Sequence, residues 1–297
     1  MGHRDFLTRA HNGRMADRAP LGEFLRSCRS RLGPDDAGLI ADGRKRRVPG
    51  LRRDEVARLT GISTEYYTRL EQGKSGNISA EVLNALAGAL RLDDTEREYL
   101  THLSGRPPSR SKSSPAQRVR PGLYRLLETL DHVPAFVFGR RTDVLASNRL
   151  ARAVITDFEA MPASKRNFAR FMLLDPAARE LYPEWEAMAA ETAAVLRLEA
   201  GQRPNDRQLA DLVGELTLRC PEFSGWWNHH QVLRRTHGTK RHNHPEFGEL
   251  VFAYEVLQFP GDPDQSLCVY NVEPGSRTEE AVRLLGSWTA AARVSAP

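Results

Sequence analysis

Residues 53–73 read Arg53-Asp-Glu-Val-Ala-Arg-Leu-Thr-Gly-Ile-Ser-Thr-Glu-Tyr-Tyr-Thr-Arg-Leu-Glu-Gln-Gly73. The spacing predicts two short helices joined by a tight turn. Val56, Ala57 and Leu59 form the inner face of the first helix. Gly61 falls where the turn needs a positive φ, which glycine adopts without a steric penalty. Ser63 follows at the N-cap, where its hydroxyl takes an unsatisfied helix N–H. Tyr67 and Leu70 lie at i, i+3 spacing and turn inward. Thr64, Glu65, Tyr66 and Arg69 are left on the outer face, and Gly73 closes the helix. This is the layout of a helix-turn-helix, whose second helix enters the DNA major groove N-terminus first. The expected reading set is therefore Ser63, Thr64, Glu65, Tyr66 and Arg69.

Charge is distributed to match. Residues 1–112 hold 21 Lys+Arg against 15 Asp+Glu, a net of +6, whereas residues 113–297 hold 22 against 23, a net of −1. Basic excess on the half that carries the motif is the footprint of a nucleic-acid-binding domain. Six of the ten residues from Arg44 to Arg53 are basic: Arg44, Lys45, Arg46, Arg47, Arg52 and Arg53. Beside a DNA-reading unit, such a run is expected to contact phosphates, giving affinity, salt dependence and register without base identity.

Outward from the motif, residues 1–20 lack periodicity and read as a flexible arm. Leu21 to Leu32 reads as a helix with Leu21, Phe24, Leu25, Cys28 and Leu32 on one stripe. Ile78 to Leu90, capped by Ser79, and Asp93 to Leu103 complete a five-helix domain over 21–104. Residues 105–118 are rich in Ser, Pro and charge and read as a linker. The remainder, 119–297, is expected to form a second domain of mixed class. A helix at Pro121–Leu130 precedes strands at Ala135–Phe138 and Asp143–Ala146, joined by a turn at Gly139–Thr142. Helices then run from Asn148, Asn167, Pro183, Asp206 and Pro221. Three strands follow at Gln231–Thr236, Glu249–Gln258 and Ser266–Val272, the last two separated by the turn signal Pro260-Gly-Asp-Pro-Asp264. A helix at Thr278–Ala291 closes the chain. The order resembles the PAS sensory fold, an antiparallel five-stranded sheet with helices over one face.

The chain has 297 residues, 40% hydrophobic and 27% charged, which suits two ordinary soluble domains. No apolar run approaches a membrane span, and the polar N-terminus lacks the apolar segment of a secretory signal. Three scattered cysteines, Cys28, Cys220 and Cys268, suggest neither a disulfide framework nor a zinc site, so a reducing cytoplasm is the expected location. No Gly-rich phosphate loop, GxSxG elbow or HExxH motif is present, so no enzyme and no cofactor are expected. His229, His230, His237, His242 and His244 cluster late in the chain without completing a known ligand pattern, and read as solvent-facing residues of a strand edge rather than a metal site.

The segments 46–57 (Arg-Arg-Val-Pro-Gly-Leu-Arg-Arg-Asp-Glu-Val-Ala), 65–73, 137–151 (Val-Phe-Gly-Arg-Arg-Thr-Asp-Val-Leu-Ala-Ser-Asn-Arg-Leu-Ala), Gly238–Arg241 and Pro260–Pro263 resemble actinobacterial regulators of the xenobiotic-response-element type that carry an MmyB-like ligand-binding domain. The resemblance implies a lambda-repressor-like helix-turn-helix domain followed by a PAS-like domain that binds a small apolar molecule such as a fatty acid. It also implies a transcription regulator acting on double-stranded DNA, expected as a homodimer on an inverted-repeat operator. The chain departs from the pattern at Ser147, where relatives often carry tryptophan, and at His242-Asn243, which stands for a Phe-Arg-type pair. Pocket-lining candidates are Phe136, Phe138, Asn148, Phe168, Phe171, Trp185, Trp226, Trp227 and Phe252, with polar groups for a ligand head group expected at Gly139–Thr142 and in a loop at Gly238–Lys240. The alternative is that the second domain serves only dimerisation or a protein partner.

Overall fold

The computed structural model describes residues 19–39, 50–74, 78–105 and 117–294. The basic residues Arg44, Lys45, Arg46 and Arg47 lie outside the described residues, as do most of the expected arm and linker. The chain divides into two compact units: Met1–Ser111 with Ala200–Asp206 and Trp227–Leu233, and Lys112–Glu199 with Arg207–Trp226 and Arg234–Pro297.

The described residues of the first unit before residue 106 form five helices: α1 (Ala19–Arg31), α2 (Arg53–Thr60), α3 (Thr64–Glu71), α4 (Ala80–Ala89) and α5 (Asp94–Ser104). Each boundary has a local cause. Gly61 adopts φ 70° between α2 and α3. Ser63 accepts from the Tyr66 amide at α3 and Ser79 from the Val82 amide at α4. Asp93 and Glu96 form a capping box at α5. Gly73, also at positive φ, ends α3 as Lys74 N–H reaches back to the Arg69 carbonyl. Phe24, Leu25, Leu51, Val56, Tyr67, Leu70, Leu86 and Tyr99 are fully or almost fully buried, and the rings of Phe24 and Tyr99 meet edge-on at 5.0 Å. Gly22 brings α1 against the α3 backbone so closely that a Cβ there would strike the Glu71 carbonyl. Leu59, expected inside, is 37% exposed. An eight-residue helix has a narrow buried stripe, and Val56, Ala57 and the capping residue Glu55 fill it.

The second unit opens with α6 (Pro121–Thr129), then β1 (Ala135–Phe138), β2 (Val144–Ser147), α7 (Arg149–Val154), α8 (Phe168–Leu174), α9 (Pro176–Leu181), α10 (Trp185–Gln202), α11 (Arg207–Arg219), α12 (Phe223–Asn228), β3 (His237–His244), β4 (Gly248–Phe259), β5 (Asp262–Asn271) and α13 (Arg277–Val294). The end of α10 and the last two residues of α12 fall within segments that group with the first unit. The five strands make one antiparallel sheet in the order β2-β1-β5-β4-β3. Opposed pairs Phe136–Cys268, Tyr254–Tyr270, Lys240–Phe252 and His242–Leu250 share one face. On the other face Leu127 of α6 packs with Ala135, Val137, Ala146 and Leu267, so helices cover both faces at the β1 end rather than one.

Two expectations for the sheet need correction. The strand expected at Gln231–Thr236 lies later, at His237–His244, so Gly238–Lys240 belongs to a strand and not to a loop. Its inward positions are Lys240, His242 and His244, and its outward ones Thr239, Arg241 and Asn243, so no apolar alternation marks it. The turn expected over five residues shrinks to Pro260-Gly261, with Phe259 already paired to Asp262. The helix α9 is an addition between the helices expected from Asn167 and from Pro183.

Candidate functional site

The helix-turn-helix is tied together by one carboxylate. Arg29 Nε donates to Glu71 Oε1 at 2.6 Å and Arg53 Nε donates to Glu71 Oε2 at 2.7 Å, with the Glu71 side chain 1% exposed. Arg29 also donates to the Leu51 carbonyl at 2.7 Å. One residue thus links the end of α1, the entry to α2 and the end of α3. Burial alone would raise the Glu71 carboxyl, but its hydrogen bonds and charge contacts with Arg29 and Arg53 outweigh it and hold the group below the usual carboxylate range. Arg53, expected on phosphates, therefore has a structural duty as well, with half of its side chain still exposed. Arg52 starts α2, its amide donating to Glu55 Oε2 at 2.7 Å.

With Tyr67 and Leu70 inward, α3 presents Glu65 and Arg69 to solvent, with Ser63 exposed at the cap and Thr64 and Tyr66 half-buried at its flanks. Thr68 lies one turn after Thr64 and beside Arg69 on the same side, and is half-buried too. The i, i+4 spacing would have identified it as a further member of this face.

In the second unit the inner face of the sheet carries a continuous aromatic layer. Phe136 stacks on Phe138 at 5.7 Å and meets Phe158 and Tyr270 edge-on at 6.2 Å. Phe138 meets Phe168 at 5.8 Å, and Phe158 meets Phe171 at 5.7 Å. Tyr270 continues the layer to Phe252 and to His242, which Tyr182 of the α9 end approaches at 4.8 Å. Five expected aromatics, Phe136, Phe138, Phe168, Phe171 and Phe252, are therefore brought together. Phe158, Tyr182, Tyr254 and Tyr270 are equally part of the layer. They come from four elements far apart in sequence, and no local pattern joins them.

Four candidates, Asn148, Trp185, Trp226 and Trp227, sit elsewhere. Asn148 caps α7: its Oδ1 accepts from the amides of Ala135 and Ala151, and its Nδ2 donates to the carbonyls of Leu130 and Val133. All four hydrogen-bonding positions of the amide are used within the fold. Trp185 donates to the Met172 carbonyl, lies under the Arg179 guanidinium at 3.5 Å, and borders an open surface groove with Trp226, Pro183 and Glu184. Trp227 falls in the segment that groups with the first unit.

Charge enters the aromatic layer at one place. Lys240 is buried, with Nζ 3.0 Å from Glu191 Oε2, 2.8 Å from Met188 Sδ and 5.0 Å from the Tyr254 ring centre. Arg235 donates to Thr192 Oγ1 at 2.9 Å, lies over the Phe168 ring at 5.6 Å and has Nε 3.8 Å from the same Glu191 oxygen. Burial, followed by the charge of Arg235, lowers the Lys240 ammonium to about 8. The turn at Gly139–Thr142 is instead spoken for: Arg141 pairs with Asp143, Arg140 faces Asp264, and Asn167 holds the Arg141 carbonyl in a left-handed backbone. The histidines do not behave as a solvent-facing set. His229 and His237 are exposed, but His242 is fully buried and His244 nearly so, because both point to the inner face of β3.

No helix among the described residues is long and apolar enough to cross a membrane. No curated protein matches the chain. The model of a helix-turn-helix domain family matches residues 20–100. Residues 119–285, more than half of the chain, match the model of the MmyB-like transcription regulator ligand binding domain. The chain belongs to that family, as a DNA-binding helix-turn-helix regulator whose larger part is an MmyB-like ligand-binding domain.

Proposed function

We propose that α3 reads an inverted-repeat operator as part of a homodimer, and that the interior of the second unit binds a small, mainly apolar acid of the fatty-acid kind whose occupancy changes operator affinity. The observation that carries the ligand half is the charge imbalance beneath the sheet. Among the described residues, the two cations Arg235 and Lys240 share one carboxylate, Glu191, whose side chain is 42% exposed. Buried charge that is not matched is costly. An anionic head group would complete the balance while the Phe136–Phe168–Phe252 layer receives an apolar body. A five-stranded antiparallel sheet with helices packed on it agrees with a PAS-like sensor. For the DNA half, support comes from the exposed face of α3 at Glu65 and Arg69, with Thr64, Tyr66 and Thr68 beside it, and from the basic run at Arg44–Arg47, Arg52 and Arg53. A single small helix-turn-helix spans too few base pairs for operator choice, and two-fold half-sites one helical turn apart are the usual remedy.

The test is native mass spectrometry of the purified full-length chain for a copurified small molecule, followed by operator affinity with and without that molecule at saturation. Identical affinities would remove the sensor reading and leave a dimerisation or protein-partner role for the second unit. A monomer by light scattering, free and on DNA, would remove the inverted repeat.

A further inference from the structure

The same interior holds polar atoms that a plain alkyl acid leaves unused. The Tyr182 hydroxyl and both ring nitrogens of His242 are buried and have no hydrogen-bond partner among the described residues. Their rings meet edge-on at 4.8 Å, enclosed by Phe252 and Tyr270. Buried polar groups in folded proteins are almost always satisfied, and each orphan costs about 1–3 kcal/mol. Three orphaned atoms on two touching side chains are therefore an expensive arrangement for a purely structural core. Phenylalanine at both positions would fill similar space without that cost.

The chemistry of the pair is defined. Burial, then the charges of Lys240 and His244, pulls the His242 imidazole down to about 3, so the ring is neutral at physiological pH. A neutral imidazole offers one N–H donor and one acceptor nitrogen. Burial raises the Tyr182 phenol above its usual range, so it remains an O–H donor. The pair thus suits an uncharged oxygen that both gives and takes hydrogen bonds, not a second anion. The strand fixes its place beside Lys240: His242 lies two residues beyond Lys240 on the same face of β3, a Cα spacing of about 6–7 Å. Lys240 lies against the Tyr254 ring, Tyr254 meets Tyr270 at 6.2 Å and Tyr270 meets His242 at 5.9 Å, so the two polar ends border one aromatic layer.

We propose that the ligand is an oxygenated acid: its anionic group meets Arg235 and Lys240, and a hydroxyl group a few bonds along its chain is held by Tyr182 and His242. This rests on the acid-binding reading above and narrows it to a chemical class. Selectivity follows from the site's own need for partners, since a pocket built around hydrogen bonds discriminates against the analogue that lacks the group.

The experiment is calorimetric titration of the full-length protein with dodecanoic acid and with hydroxydodecanoic acids carrying the hydroxyl at successive carbons. At least one positional isomer is expected to bind about tenfold tighter than dodecanoic acid, which corresponds to one well-made buried hydrogen bond. His242→Phe and, separately, Tyr182→Phe should bring the ratio of affinities between that isomer and dodecanoic acid to about one, whatever each variant does to dodecanoic acid itself. Tyr182→Phe removes a single oxygen, so it tests the idea even if the histidine replacement fails to fold. Equal binding of all isomers, or a preference that survives both replacements, overturns the inference while the acid reading stands. If neither dodecanoic acid nor any isomer binds, the acid reading falls and the inference falls with it.

Discussion

Glu71 makes the first unit sensitive to acid. Its carboxyl is depressed in the fold, so the stability it contributes is fully present above the ordinary carboxylate pKa of about 4.3. That contribution is lost as pH falls through the lower folded value. Urea midpoints measured from pH 6 to pH 3 should fall steeply for the native chain. Glu71→Gln should start lower, by about 3 kcal/mol for a buried pair that has lost one partner, and show a flatter profile. A parallel pair of profiles would mean that Glu71 is not the responsible group. Lys240 works in the opposite direction on ligand binding. With its ammonium lowered to about 8 by burial and then Arg235, the interior loses one of its two cations as pH rises past that value. Affinity for an alkyl acid should weaken between pH 7 and pH 9.5, and Lys240→Met should abolish that slope while lowering affinity throughout. Affinity unchanged across that range in the native chain would place the acid group away from Lys240.

Among the elements, α3 carries the sharpest expectation. Arg69 projects from its outer side, and a bidentate arginine–guanine contact is worth about 1–3 kcal/mol of base discrimination. Arg69→Ala should therefore relax preference at one base pair of each half-site, read by a binding assay over all single-base operator variants. Equal weakening on every sequence would make Arg69 a phosphate contact. The legibility of α2 and α3 has a physical reason. Gly61, Ser63 and Gly73 act through their own backbone angles and nearest amides, and such local chemistry is written in consecutive residues. Leu59 escaped because exposure depends on what packs opposite, and the second duty of Arg53 escaped because Glu71 is reached only through the fold. In the second unit β4 was visible by alternation, whereas β3 was not, since its buried side is Lys240, His242 and His244. Phe136 and Phe252 could be suspected singly. Phe136 meets Tyr270 through the pairing of β1 with β5, more than a hundred residues apart, and Tyr182 reaches the layer from the end of α9. Asn148 looked like a binding group because its sequence setting is distinctive, but that setting serves the junction of β1 and α7.

At the scale of the whole molecule, the two proposed activities are bound by reciprocity. If a ligand changes operator affinity by some factor, operator DNA must change ligand affinity by the same factor. Calorimetric titration of the ligand with and without a saturating operator duplex should return the factor found from DNA binding with and without ligand. Unequal factors would mean that the two experiments report different assemblies. The three cysteines add a separate consequence. Cys28, Cys220 and Cys268 are all free and buried, and burial pushes the Cys28 and Cys268 thiols up to about 12. The reactive thiolate is therefore scarce and shielded, so peroxide or an alkylating reagent should leave the folded regulator untouched. Cys28 belongs to the first unit and Cys268 lies beside Tyr270 on the inner face of the second. Mass-spectrometric alkylation rates at these two positions would then time the opening of each unit separately, and a bound ligand should slow labelling at Cys268 while leaving Cys28 unchanged.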